Sequence, residues 1–328
     1  MKNRVGLRGI ILLVCCLLLF SAMTPSFAQE YPTKPINLLV ANTPAGSVNV
    51  SLRILAGHVE KRIGQPFVIS NNNGGGGSVA FGIAAKQKPD GYNLVAGAST
   101  PLVRIPQLRQ VPYKYEDFIP ILHYGTMESG LFVRADAPWK TLKEFVEYAK
   151  KNPGKVTYGV SGTGTPQHLA MEFISKQEGG IQWILVPMPG EDNSIPLLGG
   201  HVTAASIGSV YTHHVTAGSL RMLATHGERR MKTFPDVPTF RECGYDFINE
   251  TVMVVAAPKG IPLPIIQKLD DAFHRAMDDA EFVKYMGTAG NVVSYRNYGD
   301  TKKYLDDAYI RLGKMIKELK IPMESEKK

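Results

Sequence analysis

Two short turns carry the residues best suited to chemistry in this chain. The first, Asn42-Thr43-Pro44-Ala45-Gly46-Ser47, follows the strand-like run Ile36-Asn37-Leu38-Leu39-Val40-Ala41. The second, Ser161-Gly162-Thr163-Gly164-Thr165-Pro166, follows Val156-Thr157-Tyr158-Gly159-Val160. Each leads into a helix that Ser47 or Thr165 can cap. A turn of this kind leaves unpaired backbone N–H groups at a helix N-terminus, where the helix dipole also favours negative charge. The chemistry that follows is noncovalent capture of a small anion, with two jaws closing on it. In the first turn Thr43, Pro44, Ala45, Gly46 and Ser47 would offer N–H groups and the Ser47 hydroxyl. In the second, Ser161, Gly162, Thr163, Gly164 and Thr165 would offer N–H groups and three hydroxyls, with Gly46, Gly162 and Gly164 permitting close approach. Hydrogen bonds to a charged partner are worth about 1.5–3 kcal/mol each. Three or four of them, less the lost freedom of ligand and hinge, reach the roughly −8 kcal/mol of a micromolar binder without any arginine. Ser99 and Thr100, just past a strand end, face the same region and join the candidate contacts.

Covalent chemistry fits these residues less well. Gly159-Val160-Ser161-Gly162-Thr163 places Thr where a nucleophile elbow needs Gly. Gly162-Thr163-Gly164 has Gln167 at the third glycine of a dinucleotide fingerprint, and residues 74–77 lack the Lys-Ser/Thr of a P-loop. Ser161 with His168 could form a nucleophile and base. Helical spacing instead puts His168 beyond the Thr165 cap, where it packs on or hydrogen-bonds the turn, and it is counted among the ligand-binding residues. His213 and His214 are adjacent, so their side chains should point apart and make a poor metal pair. No metal and no cofactor are expected.

These turns need elements to hold them. Val50, Ile54, Leu55, Val59 and Ile63 form a helical stripe after the first turn, ended by Gly64-Gln65-Pro66. Phe67-Val68-Ile69 reads as a strand, residues 71–77 as a Gly/Asn-rich structural turn before a small-residue helix, and residues 92–96 as a further strand. Thr141-Leu142-Lys143-Glu144 is a capping box, and residues 264–277 and 301–319 are the strongest late helical patterns. Alternating strands and helices make this an α/β protein. Lys2, Arg4 and Arg8 precede about eleven apolar residues over 10–20, too few to span a bilayer. Ser26-Phe27-Ala28 then offers a cleavage site, so residues 1–28 read as a signal peptide cut after Ala28 and the protein as periplasmic. Removing that segment takes away three basic residues and no acid, so the formal charge falls from +8 to +5. Cys243 is then the one remaining cysteine, which excludes an internal disulfide. No basic cluster with interleaved aromatics points to nucleic acid.

Further motifs run along nearly the whole chain after the signal: Tyr31-Pro32-Thr33-Lys34-Pro35-Ile36, Pro44-Ala45-Gly46-Ser47, Gly64-Gln65-Pro66, Pro89-Asp90-Gly91-Tyr92, Asn152-Pro153-Gly154-Lys155, Ser161-Gly162-Thr163-Gly164-Thr165-Pro166-Gln167-His168-Leu169-Ala170, Leu197-Leu198-Gly199-Gly200 and Pro235-Asp236-Val237-Pro238-Thr239. In order and spacing they resemble the Bug-type extracytoplasmic solute receptors of tripartite tricarboxylate transporters. The resemblance implies a two-lobed type II periplasmic-binding-protein fold with a ligand cleft between the lobes. Lobe one would be residues 29–125 plus 252–328 and lobe two residues 126–251, with crossings near residues 120–132 and 251–257. It also implies a monomer that closes about its hinge on a small organic anion, commonly a carboxylate, and delivers it to integral-membrane permease subunits driven by an ion gradient. Asn49 stands where the family usually has Asp, and Asn72-Asn73 replace an Arg-Pro pair, so the resemblance names no particular acid. Two other functions remain open on the sequence: a ligand-loaded sensory partner of a membrane signalling protein, and a secreted serine hydrolase using Ser161 and His168.

Overall fold

The structure is a computed structural model describing residues 31–160, 164–188, 194–207 and 211–322. The expected signal peptide, the first half of the second turn (Ser161, Gly162, Thr163) and the C-terminal tail lie outside the described residues. The chain divides into two compact units, Met1–Thr33 and Lys34–Lys328, and both sheets belong to the second.

The alternation of buried and exposed positions along β1 (Ile36–Val40) marks a strand with one face in the core. It runs parallel to β2 (Phe67–Asn71) on one side and β3 (Asn93–Ala98) on the other. Between β1 and β2 lies α1 (Ser47–Ile63), whose Val48, Leu52, Leu55, Ala56 and Val59 are buried. It ends where Gly64 takes the left-handed conformation and its N–H bonds Glu60 O. Residues 74–77 form a tight 3-10 turn into α2 (Ser78–Ala84). Two short helices, α3 (Thr100–Val103) and α4 (Ile105–Leu108), follow β3. β4 (Phe118–Met127) also belongs to this sheet, and after it the chain enters a second one at β5 (Gly130–Arg134).

The second sheet has the order β7-β6-β8-β5-β9, from β6 (Thr157–Val160), β7 (Ile184–Pro187), β8 (Ala204–Ile207) and β9 (Leu220–Thr225) with β5. α5 (Leu142–Lys151) opens with the expected capping box, Thr141 and Glu144 each bonding the other's backbone. α6 (Pro166–Gln177), α7 (Ser194–Leu198) and α8 (Tyr211–Thr216) complete this half. The chain returns to the first sheet at β10 (Thr251–Pro258), which lies antiparallel between β3 and β4. α9 (Leu263–Ala276) and α10 (Ala280–Thr288) pack on α1, β11 (Asn291–Arg296) adds an edge strand beside β4, and α11 (Tyr298–Glu318) lies on β4. The result is the two-lobed α/β architecture expected, one lobe on each sheet.

Some local expectations need correction. Gly46, not Ser47, is the N-cap of α1, so Ser47 is the first helical residue and no side chain caps that end. The last helix starts at Tyr298 because Asn297 accepts the Asp300 N–H. α10, capped by Asp279, gave no strong stripe in the sequence. His213 and His214 do not diverge: their ring centroids lie 3.8 Å apart on α8.

Candidate functional site

A cavity of about 340 Å³ is lined from both sheets. From the first come Thr43, Gly46 and Ser47 of the first turn, Asn73 and Gly76 of the glycine turn, and Thr100 and Arg104 beyond β3. From the second come Thr165, Pro166 and Gln167. Met127 and Thr251, at the two places where the chain changes sheets, complete the wall. The N-termini of α1 and α6 thus reach one space, and neither helix has an acidic residue in its first turn. Three other cavities are as large or larger, but each carries carboxylates: Glu128 and Glu250, Asp278 and Asp279, or Glu116 and Asp306. The cleft cavity has none among the described residues. That difference decides which cavity suits an anion, since a carboxylate wall repels one.

The first turn is held by three asparagines. Buried Asn49 donates to Pro44 O at 2.6 Å and accepts from Asn71 Nδ2 at 2.7 Å. Asn71 Nδ2 also bonds Asn42 O, and Asn42 Oδ1 accepts the Ala98 N–H of β3. The turn is therefore racked to β2 and β3 before anything binds. Gly46 has an ordinary φ of −68°, so its backbone needs no left-handed freedom. A Cβ there would stand 2.9 Å from Thr43 Oγ1, so its smallness is what matters. An Asn49→Leu variant strands the Pro44 carbonyl and an Asn71 N–H together. It is expected to lose about 2 kcal/mol, read by urea denaturation, and an unchanged midpoint would show that this lattice of amides holds nothing.

On the other side, Thr165 Oγ1 accepts the His168 N–H and Pro166 has none to give. That leaves the Gln167 N–H as the remaining donor of the first turn of α6. His168 is buried, with Nδ1 accepting the Gly164 N–H at 3.0 Å and Nε2 3.9 Å from Glu172. It anchors the turn, as its spacing suggested, and does not line the cavity. Gly164 sits against Leu108 of α4, and a side chain there would collide with Leu108 Cδ1. Ser99 is buried, its hydroxyl accepting the Val252 N–H of β10 at 3.2 Å, and Thr100 lines the cavity where Ser99 does not. Pro44, Ala45 and Gly164 also stand outside the lining.

Sequence reasoning missed several lining residues: Asn73 and Gly76 of the turn read as purely structural, Met127 and Thr251, and above all Arg104 and Gln167. Arg104 is 3% exposed. One nitrogen donates to Asn249 Oδ1 at 2.8 Å and another reaches Thr100 Oγ1 at 3.5 Å. Its Nε has no partner among the described residues, and among these no carboxylate pairs with it. Burial lowers its pKa to about 10, so it stays charged at neutral pH. Gln167 Oε1 is likewise buried without a described partner. The available signal was a lone arginine in Thr100-Pro101-Leu102-Val103-Arg104-Ile105, one helical turn beyond Thr100.

The crossings meet behind this wall. Ser129, between β4 and β5, bonds His226 Nδ1 at 2.9 Å, and its carbonyl accepts the His226 N–H. The Asn249 N–H in turn bonds His226 O. Elsewhere, His58 Nε2 lies 3.1 Å from Asp279 and 3.6 Å from Glu281, a group with metal-ligand spacing that the sequence did not suggest. Lys61, Arg62 and Arg275 line the cavity beside His58 and Asp279 and oppose a cation.

Comparison with known proteins places this geometry in a family. The family model described as Tripartite tricarboxylate transporter family receptor matches residues 51–321. The UPF0065 protein of the gbd 5' region in Cupriavidus necator is 38% identical over 253 residues, 76% of this chain and 77% of its own. Protein BugT of Bordetella pertussis is 30% identical over 300 residues, 90% of this chain and 92% of its own. Among solved structures, a TctC solute-binding protein from Polaromonas superposes with a TM-score of 0.80 at 27% identity, covering 88% of this chain and 99% of that one.

Proposed function

Because the chain belongs to the tripartite tricarboxylate transporter family of receptors, we propose that it captures a small carboxylate in the periplasm and delivers it to an integral-membrane permease. The family consists of solute receptors and not enzymes, so the hydrolase reading of Ser161 and His168 falls away. The observation that carries the ligand class is the cleft cavity, lined by two helix N-termini from opposite sheets and one buried arginine, with no carboxylate among the described residues. Partial positive charge at both helix ends draws an anion into the gap, and hinge closure seals it. The lobe division at residues 125/126 and 251/252 is supported by the sheet change between Met127 and Gly130 and by the return at Thr251. Thr43, Gly46, Ser47, Thr100 and Thr165 are the proposed ligand contacts among the lining residues, with Arg104 and Gln167 added and Ser161, Gly162 and Thr163 proposed beside them.

The test is a thermal-shift screen of residues 29–328 against mono-, di- and tricarboxylates, aromatic acids and amino acids. An acid present at a hundred times its dissociation constant adds about 2.7 kcal/mol, hence a rise of a few degrees. A flat response across all acids would sink the carboxylate reading while leaving the family standing. Recovery of a sensor kinase with no permease, on loaded protein incubated with membranes, would count against delivery.

A further inference from the structure

The two crossings have a second flank. In the first sheet β10 and β4 lie side by side, with β3 and β1 beyond one edge and β11 beyond the other. The cleft cavity opens among the ends of β1 and β3. On the other flank a cavity of about 420 Å³, the size of a small-molecule site, opens between β11 and residues 225–232. Successive residues of a strand face opposite ways. Accordingly Thr251 lines the cleft while Glu250 lines this second cavity, and Glu128 joins it from the other crossing. Both carboxylates are half-buried. Glu128 accepts from the Tyr211 hydroxyl, and Glu250 from the Tyr304 hydroxyl and the Glu228 N–H. Those donors are neutral, and among the described residues neither carboxylate is in an ion pair. Burial raises the Glu128 pKa and the Glu250 charge adds to the rise, against the Tyr211 bond that lowers it. A positive group lodged between the two relieves both. Arg296 is not that group, because it is committed to His123 Nδ1 and to the face of Tyr304. His226 lines the same cavity at 1% exposure, with Nδ1 bound to Ser129 and Nε2 without a described partner. At the rim Arg229 and Lys232 are exposed beside Glu228, and Arg230 is held by Glu242. Negative charge is therefore deep and positive charge shallow.

We propose that this cavity is a second ligand site, for a small zwitterion whose ammonium group sits on Glu128 and Glu250 and whose anionic end faces Arg229 and Lys232. Its walls come from both lobes, and it lies across the crossings from the cleft. Rotation about the crossings that narrows one gap widens the other. An occupant touching β11 on one side and residues 225–232 on the other loses contact as they part, so it holds the cleft open. That coupling rests on the receptor reading above; the site itself does not.

The experiment is titration calorimetry on residues 29–328 with the unbranched amino acids glycine, β-alanine and γ-aminobutyrate, and with the N-acetyl and methyl-ester form of each. At least one amino acid should bind, and its N-acetyl form about 30-fold or more weakly, since the charge that meets the carboxylates is lost. The cleft has no described carboxylate with which to tell those two apart. The methyl ester should weaken by no more than about fivefold, because Arg229 and Lys232 stand in water. Glu128→Gln and Glu250→Gln should each weaken the amino acid about tenfold or more and its N-acetyl form by no more than about twofold. With that amino acid saturating, an acid from the carboxylate screen should bind the wild type about fivefold or more weakly. The effect should vanish in Glu250→Gln, whereas competition inside the cleft would persist there. Equal binding of an amino acid and its N-acetyl form overturns the site, whether or not the variants fold, and so does failure of all three to bind. An acid affinity left unchanged or raised by the bound amino acid overturns the coupling. None of these outcomes touches the carboxylate reading, which fails only if the acids themselves do not bind.

Discussion

Gly77→Ala is expected to destabilise the protein by about 3 kcal/mol or more and to weaken ligand binding at least tenfold, although residue 77 does not line the cleft. Gly77 has φ +93°, a conformation that costs an L-residue about 1–2 kcal/mol. The larger part comes from what an added Cβ meets: the Ala41 carbonyl oxygen at 2.6 Å and Pro101 Cγ at 2.8 Å. Ala41 is tied by its N–H to Ala96 O, so its peptide cannot withdraw without disturbing β1 against β3. It also leads directly into Asn42 and the first turn, and Pro101 lies next to Thr100. The added methyl therefore pushes on two walls of the cleft cavity at once. Gly154→Ala is the control: its φ is +71° but nothing lies within 4 Å of the new atom. That variant should lose about 1 kcal/mol and bind ligand normally. Chemical denaturation and calorimetry on the pair check both statements, and equal behaviour of the two variants would refute them.

The second large effect is acid lability. His123 and His226 are buried and their pKa values are pushed to about 3, by burial first and then by Arg296 and Arg104 respectively. Arg296 donates to His123 Nδ1 at 2.6 Å, and His123 Nε2 is 2.8 Å from Gly125 O. The unfolded chain takes up a proton on each histidine near pH 6.5, while the folded protein does not until near pH 3. Stability is therefore flat above pH 6.5 and falls by about 1.4 kcal/mol per pH unit per histidine below it. Once pH drops below 3 both states are protonated and the loss stops growing. Glu128 and Asp270, whose pKa values are raised by burial, offset part of the loss. Glu178, held low by Lys150, and Glu242, held low by the Thr239 N–H and Arg230, add to it at the acid end. From pH 7 to 4.5 the two histidines together amount to ~5 kcal/mol, or roughly 10 °C in melting temperature. Melting curves across that range check the slope, and His123→Gln should remove about half of it. A flat profile would mean that both rings titrate normally.

What the sequence revealed was whatever depends on near neighbours. Thr141 with Glu144 and Thr165 with His168 are contacts three residues apart, and both caps form as their spacing predicts. The alternating strands and the two strand-turn-helix junctions were legible for the same reason, and the run of family motifs then gave the lobes. Arg104 was not legible as a buried ion, because its burial and its partner Asn249 depend on a segment 145 residues away. The same holds for Asn71, which reaches back across β1 to Asn42 and Asn49. Gln167 counted only as a failed glycine position in a motif this protein does not use. The cap of α1 fell one residue early because Gly46 can serve where Ser47 had the better side chain. Local chemistry fixed the turns, while the buried charge of Arg104 at the cleft is set only when remote segments meet.

The place of β10 has a consequence for how the chain comes into being. In the first sheet it fills the gap between β3 and β4, which are not neighbours without it. Strands pair about 4.8 Å apart, so a chain lacking residues 251–258 leaves those two facing across a space of roughly 10 Å that neither can close. Vectorial synthesis delivers β1 to β4 early and their missing centre only in the last quarter of the chain. The emerging polypeptide thus holds a half-sheet with two unsatisfied edges for most of its elongation, and closing it requires a loop of some 150 residues. Such a chain is expected to stay extended until residues 251–258 arrive, with its unpaired edges exposed in the interval. It also predicts that cutting the gene before residue 251 yields no N-terminal lobe, and that a separately supplied C-terminal fragment could rebuild one.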